Sequence, residues 1–511
     1  MNEQKFCFII CANDERYLEE SLWYIDRLSL PEGYERETVI IRDAVSMTNG
    51  YNRGMAQSDA KYKIYLHQDV LIVNRNLLKD LLEIFQDDSI GMVGTIGRKE
   101  MLSSGAYTRE WDAGAAVVCN ATGCFSFNWS SAENGAYTEV RGIDGMFMAT
   151  QQDVLWDEET FDGWDFYDLS QSERIRQAGY RIVVPNLAKK EEPWIFHDAG
   201  QCEYTDWDKY RKVFCEKYKS DGYECTELEW ELTEEERQKR RKAVWKAFRA
   251  GDFERTTKCL EHLGADNLNN ELAYIVLFLK VRAEELMAAG YTNYSDADKI
   301  EAFMKEYDDA KFMLRRIYFG YEEEAWEHLW QGICAGTYTM KMLWAVSHIC
   351  VYDTSRLWWS VFDRYQEAVR TFMVQGEILA AEQLLTQLDE QWRGKEGSIL
   401  LILIRVFRRE VEKGISPTVF DMSQNPEELT AHFIRLKLYL RRVEFGLPEK
   451  YQDEAYEYCK KTGVSDYLIL HLLQSNIFYK EEFCRRMSQL FAKKEGVGSM
   501  RANLYAQLAQ K

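Results

Sequence analysis

YKIYLHQDVLI, residues 62–72, is an apolar, β-forming run interrupted by His67, Gln68 and Asp69 and resumed by Val70, Leu71 and Ile72. Its length and its Tyr and Ile content predict a buried strand over Tyr62–Leu66 that ends on three polar residues. Upstream, KFCFIICA (Lys5–Ala12) reads as another strand. It is followed by Asn13 as a helix cap and by Leu18, Leu22, Ile25 and Leu28 at helical spacing. TVII (Thr38–Ile41) is a third strand. Downstream come a helix over about Asn74–Phe85 and a strand, IGMVGTI, over Ile90–Ile96. Strands that alternate with helices predict an α/β domain with a mostly parallel, Rossmann-like mixed sheet, whose ligands bind beyond the carboxyl ends of the strands.

Ser103–Trp129 is rich in Gly, Ala, Ser and Thr and predicts loops and short strands over one sheet edge. Thr138–Ala149 predicts a strand pair, or one strand bent at Gly142. In Phe161–Pro185, Ser170 and Glu173 have capping-box spacing, Ile175 and Ala178 form an apolar face, Gly179 fits the helix end, and Arg181–Val184 forms a closing strand. Beyond about residue 220 strand signals stop. Thr233 with Glu236 opens a helix through Val244, Trp245 and Phe248, Gly251-Asp252 breaks it, and Phe253–Leu263 follows. AFRAGDFERTTKCLEHL has the layout of a tetratricopeptide-type hairpin, and TFMVQGEILAAEQLLTQL (Thr371–Leu388) repeats it around Gly376. A plain helical bundle fits the same region. The expected organisation is an α/β domain over residues 1–220 and an all-α, repeat-like domain over 221–511.

At 511 residues the chain exceeds the size of one hydrophobic core. A 14% aromatic share excludes a disordered chain, and only 6 prolines favour long helices. The net charge of −20 argues against nucleic acid and anionic membranes as partners. The 12 cysteines include single, unclustered Cys7, Cys11, Cys119, Cys124, Cys202 and Cys215, and a reduced set is expected. The N-terminal apolar run is too short for a signal peptide or a membrane span, so a cytoplasmic location without a transmembrane segment is expected.

Three places carry candidate chemistry. Asp69 closes a buried strand where packing alone does not call for a carboxylate, a position suited to a divalent cation bridging two phosphates; capping the next turn is the alternative. Asp168, with Asp165 and Asp162 nearby, lies among Phe, Trp and Tyr just before the Ser170 cap, where a base could sit in a partly dry pocket; satisfying helix N–H groups is the alternative. His197, in WIFHDAG, follows an apolar triplet at a strand end, and most such histidines are packing residues.

The segments CANDE, IIRDA, YNRGMAQSDAKYKIYLHQDV, RGIDGMFMA, FDGWDFYDLSQSERIRQAGYRIVVP and FHDAG, in this order, resemble the inverting GT-A glycosyltransferases of family 2, in particular the branch similar to the streptomycin-biosynthesis StrF domain. The resemblance covers roughly the first 215 residues. It implies a bacterial, nucleotide-sugar-dependent transferase that uses Mn2+ or Mg2+ and acts on a glycan or protein acceptor. The family's strand-end acidic motif, usually Asp-x-Asp, assigns metal and donor diphosphate to Asp69. His67 departs from that motif, which leaves open whether it touches the ribose or coordinates through nitrogen; Gln68 lies beside the donor. The resemblance further places Ala12, Asn13 and Glu15 at the nucleotide base and Asp43 at the base or ribose, with Asn52 and Arg53 beside the donor. Asp144 faces sugar and acceptor, Asp168 is the general base with Asp165 close by, and His197 completes metal or diphosphate binding.

A scaffold that keeps this fold without turnover, acting through its helical half, is the competing expectation, motivated by His67. A nucleotidyltransferase lacks its Gly-rich N-terminal loop here. Gly91, Gly94 and Gly97 lie in or just after a strand, not in the strand-to-helix turn that binds dinucleotides. GxxxxGK[ST], HExxH and GxSxG are absent from the sequence. Trp358-Trp359 is expected in a core and Lys239–Lys242 on a solvated helix face. The helical half is expected to bind a protein partner or acceptor, to present a glycan, or to self-associate.

Overall fold

The computed structural model describes residues 1–105, 111–120, 123–129, 135–187, 193–200, 206–227, 232–281, 297–388, 390–414 and 426–510. The strands are β1 (Asn2–Cys11), β2 (Glu35–Ile41), β3 (Ala60–His67), β4 (Val70–Ile72), β5 (Ile90–Gly94), β6 (Ile96–Arg98) and β7 (Ala113–Asn120). They continue with β8 (Gly123–Asn128), β9 (Tyr137–Val140), β10 (Gly142–Ile143), β11 (Phe147–Thr150), β12 (Arg181–Pro185) and β13 (Ile195–Asp198). Between them lie α1 (Glu15–Ile25), α2 (Met47–Ala56), α3 (Leu77–Ile84) and α4 (Tyr167–Gln177).

A seven-stranded sheet has the order β2-β1-β3-β11-β5-β12-β9. β2, β1, β3, β5 and β12 run one way, and β11 and β9 run against them. The apolar run of β1 is continuous because both faces are covered. Phe6, Phe8 and Ile10 face the core shared with Leu18 and Ile25 of α1 and Leu77, Leu78 and Leu81 of α3. Cys7 and Ile9 face the opposite core, with Tyr51 and Met55 of α2 and Ile175 of α4. A smaller sheet, β10-β6-β7-β13-β4, carries β8 on β7, so part of the Gly- and Ala-rich segment is a hairpin of that second sheet. Ile90–Ile96 is divided between the two sheets. α2, which Ser46 caps through the Asn49 N–H, has no counterpart in the expected elements, because MTNGYNRGMA lacks a strong apolar period.

After β13 only helices follow among the described residues: α5 (Trp207–Lys217), α6 (Glu234–Arg249), α7 (Phe253–Leu263), α8 (Asn270–Val281), α9 (Ala297–Tyr318), α10 (Glu322–Ala335) and α11 (Met340–Cys350). The series continues with α12 (Thr354–Val374), α13 (Ile378–Gln387), α14 (Glu390–Glu412), α15 (Pro426–Glu444), α16 (Glu449–Lys461), α17 (Asp466–Asn476), α18 (Lys480–Glu495) and α19 (Met500–Leu508). The architecture is an α/β domain followed by an all-helical region. Thr233 does cap α6, accepting the Glu236 N–H. Within the basic run, Arg241 is buried and donates to the carbonyls of Asn267 and Leu268, so that run is not wholly a solvated face.

The chain divides into two compact units, Met1–Gly332 with Met342–Leu357, and Ile333–Lys341 with Trp358–Lys511. The unit built on the sheets therefore runs past residue 220 and includes α8 and α9. In the second unit successive helices pack as neighbours, α13 on α14, α15 on α16 and α18 on α19. Trp358 is in its core, but Trp359 is exposed against Phe362, which corrects the expectation that both are core.

The contact between α9 and the sheets is ionic and buried. Asp198, at the end of β13, lies 2.8 Å from Arg315 and 2.5 Å from Lys311, and Lys311 lies 3.0 Å from Asp308. Arg16 of α1 reaches Asp308 at 3.0 Å, Arg316 pairs with Glu20, and Arg315 also donates to the Cys350 carbonyl at 2.9 Å. Removing one partner of such a network strands a charge in a low-dielectric interior. Arg315→Ala is expected to lower the stability of this unit by about 3–5 kcal/mol, read from its urea midpoint; a loss below about 1 kcal/mol would mean that the cluster does not hold α9 in place.

Candidate functional site

β1, β2 and β3 are parallel and in register, with Cys11 opposite both Ile41 and His67. Their carboxyl ends therefore present Ala12, Asn13, Asp43 and His67 along one edge. The antiparallel β11 starts with Phe147 opposite Leu66, which brings the preceding Asp144, Gly145 and Met146 to the same edge. The Met146 carbonyl accepts the His67 N–H at 3.2 Å. β13 pairs with β4, His197 opposite Val70, and so returns His197 to the turn that holds Asp69.

His67 Nδ1 stands 3.4 Å from His197 Nε2, and His197 Nε2 stands 3.3 Å from Asp69 Oδ1. These three side chains form a group able to hold a metal ion. The Asp69–His197 contact has an ion-pair distance without the direction of a hydrogen bond. Asp69 Oδ1 is thus buried with no hydrogen-bond donor among the described residues. Such an orphan acceptor facing two imidazole nitrogens fits a cation. The far nitrogen of His67, Nε2, is bonded to the Tyr167 hydroxyl, the outer contact that orients a ligating histidine. Two imidazoles and a carboxylate suit Mn2+ better than Mg2+, which prefers oxygen throughout. Burial is the largest influence on the Asp69 carboxyl and raises it, but His197 and His67 together outweigh it and hold the group below its ordinary range. The converse holds for His197, which burial lowers and Asp69 raises further. His67 is lowered, by burial first and then by the charge of His197.

Asp168 lies in the first turn of α4 and is only 5% exposed. The expected Ser170 cap is not formed. α4 starts four residues earlier because Phe166, buried among Phe161, Trp207 and Phe214, adopts a left-handed conformation with φ 60 at the cap position. Ser170 is inside the helix, its N–H bonded to the Phe166 carbonyl, and Glu173 is buried against Arg141 and Tyr223. Asp168 Oδ2 accepts the Gly145 N–H at 3.0 Å and Oδ1 accepts its neighbour Leu169's N–H at 2.8 Å. Burial, and then the charge of Asp144, push Asp168 up to about 8. Asp144 accepts the Met146 N–H at 2.9 Å. A side chain at position 145 would collide with the Tyr167 hydroxyl, so Gly145 is what lets β11 and α4 approach.

The other expected site residues occupy less central places. Asp165 is pushed up to about 6 by burial and by Asp206, its charged neighbour. Gln68 clamps two strand ends, accepting the N–H groups of Asn13 and Asp14 at 2.8 and 2.9 Å and donating to Asn13 Oδ1 at 2.5 Å. Asp14, not Asn13, caps α1. Glu15 is paired with Arg42 and Asp43 with Arg53 at the exposed edge. Asn52 is spent on the loop after β11, bonding both backbone groups of Trp156 at 3.0 and 2.9 Å. Tyr167 was missed although it neighbours Asp168 in an aromatic-rich segment. Arg315 and Lys311 had no local signal, since helical periodicity does not mark which basic residue will be buried.

Residues 7–218 match a protein family described as "Glycosyltransferase like family", so this part of the chain is similar to glycosyltransferase-like proteins. No curated protein sequence matches the chain. Among solved structures, S. aureus TarS is similar at 12% identity over 56% of this chain and 54% of its own, with a TM-score of 0.28. The chain thus spans about half the length of that protein. The mannosyltransferase PcManGT from Pyrobaculum calidifontis, in complex with GDP-Man and Mn2+, is similar at 10% identity over 68% of this chain and 84% of its own, with a TM-score of 0.26.

Asp168 makes the stability depend on pH in a stated direction. An unfolded aspartate ionises near pH 3.9, while the folded group stays protonated to about 8, so the native state binds the extra proton and loses stability as pH rises between those values. Asp168→Asn removes that slope. Measured without metal, the urea stability of the variant relative to the wild type is expected to improve steadily from pH 4 to pH 8; a parallel pair of curves would mean that the carboxyl is ionised in the resting site.

Proposed function

We propose that the chain transfers a sugar from a nucleotide-sugar donor to a hydroxyl of a glycan or protein acceptor, by a single displacement that inverts the anomeric carbon. The observation that carries this reading is the gathering of His67, Asp69, His197, Asp144 and Asp168 at one edge of the sheet in a domain similar to glycosyltransferase-like proteins. Asp69, His197 and His67 would hold a divalent cation, Mn2+ or Mg2+, which as a Lewis acid would stabilise the departing nucleoside diphosphate.

Asp168 removes the proton from the attacking hydroxyl. Its raised pKa, about 8, makes it a stronger base than an exposed carboxylate and keeps an ionised fraction available near neutral pH. Asp144, tied to the Met146 N–H, borders the sugar and raises Asp168 by its charge. Tyr167 holds the His67 ring in orientation. The donor nucleotide lies over Ala12, Asn13, Glu15 and Asp43, beyond the ends of β1 and β2, as ligands of such sheets do. The placing of His67 with Asp69 and His197 in one group of possible ligands favours the transferase over the scaffold reading.

For the all-helical unit we propose that it presents the acceptor, a protein by preference, on its packed helices. A cytoplasmic location suits Cys119 and Cys124, which face each other across β7 and β8 as unbridged thiols. No helix among the described residues is long and apolar enough to cross a membrane.

With a panel of nucleotide sugars and Mn2+, the full chain is expected to release nucleoside diphosphate, and His197→Ala to lower that release by on the order of 10- to 100-fold. Asp168→Asn is expected to lower kcat for transfer by on the order of 10²- to 10⁴-fold with donor affinity unchanged. Release from no donor in the panel would leave the scaffold reading, and an Asp168→Asn enzyme of full activity would remove that residue from the mechanism. Deleting residues 358–511 is expected to preserve donor hydrolysis and abolish transfer; transfer at the full rate would exclude acceptor presentation by the helical unit.

A further inference from the structure

Beside Asp69 lies a cavity of about 210 Å3 that continues from the proposed donor site onto helices of the C-terminal region. Asn13, Gln68 and Asp69 at the strand ends form one wall, while Asn270 and Tyr274 of α8 and Tyr307 of α9 form another. Helices far downstream in the sequence therefore enclose the space next to the proposed cation group.

Apart from Asp69, which pairs with His197, the charges around this cavity cancel. Arg16 lies 2.9 Å from Asp14 and 3.0 Å from Asp308. Lys311 is shared between Asp198 and Asp308, and Arg315 is held by Asp198. Three cations thus meet three carboxylates, and none of the cations is left unpaired to bind a phosphate. What the walls add is neutral: the amides of Asn13, Gln68, Asn120 and Asn270, and the phenols of Tyr17 and Tyr274. Tyr307 is only 4% exposed, and its hydroxyl has no hydrogen-bond partner among the described residues.

Amides and phenols that both donate and accept, tyrosine rings for C–H surfaces and a balanced charge are the recognition chemistry of a neutral pyranose. We propose that α8 and α9 complete the substrate site and that their cavity seats one neutral sugar ring, belonging to the donor or to the acceptor. Which substrate supplies the ring rests on the transferase reading; that a ring binds there does not.

The test uses the full chain with Tyr307→Phe and Asn270→Ala, neither of which touches the proposed base or cation group. Ala273→Leu, which narrows the cavity from α8, is a third variant. Saturation-transfer NMR is run with methyl glycosides of glucose, galactose, mannose and N-acetylglucosamine. At least one glycoside is expected to receive saturation from the wild type and severalfold less from the variants. In kinetics with Mn2+, loss of one neutral hydrogen bond is expected to raise a KM by on the order of tenfold. A rise in donor KM for hydrolysis and transfer alike assigns the ring to the donor, and a rise in acceptor KM alone assigns it to the acceptor. The proposal is overturned if no glycoside is saturated by the wild type, if the variants leave saturation and both KM values unchanged, or if they weaken only free nucleoside diphosphate. Should glycosides bind without turnover of any nucleotide sugar, the transferase reading fails and the sugar cavity stands.

Discussion

A carboxylate buried at a strand end has to be neutralised, and Asp198 is neutralised by Arg315 and Lys311 of a single helix. The rest of the site follows from that requirement. Asp198 directly follows His197, and its N–H bonds the Asp69 carbonyl at 2.9 Å, so the ion cluster holds both residues through the backbone that carries them. The same helix, α9, presents Tyr307 to the neighbouring cavity. A helical region that looks like a separate module in sequence is thereby an integral wall of the α/β unit.

Two carboxylates at the same edge, Asp69 partly buried and Asp168 buried, are held in opposite states. Asp69 faces His197 and stays ionised, ready for a cation, whereas Asp168 has only backbone N–H partners and the like charge of Asp144, and is driven toward its protonated form. Opposed pKa shifts in one cleft divide labour between a cation ligand and a base. The antiparallel entry of β11 makes this possible, because a parallel strand in that place would have sent Asp144 and Gly145 to the opposite end of the sheet.

Much of the sheet was legible. Continuous apolar runs such as KFCFIICA marked β1, and Asp69 and His197 stood out because polar residues interrupted or closed such runs. α4 was mistaken at its start, since Ser170 and Glu173 have the spacing of a capping box. The aromatic cluster around Phe166 set the helix boundary instead, and the two polar residues went inside. Asn52 shows the limit of reasoning by resemblance: its amide is occupied by the Trp156 backbone.

By itself the sequence determined the α/β-then-helical order, the strand ends on which polar residues stand, and the residue types available for cation and proton chemistry, because periodicity and local composition encode those directly. Only the tertiary structure decided that His67 turns toward His197, that Asp168 is dry, and that Arg315 and Lys311 become buried partners of Asp198. These outcomes depend on desolvation and on partners more than 100 residues away, and a pattern within a dozen residues does not contain them.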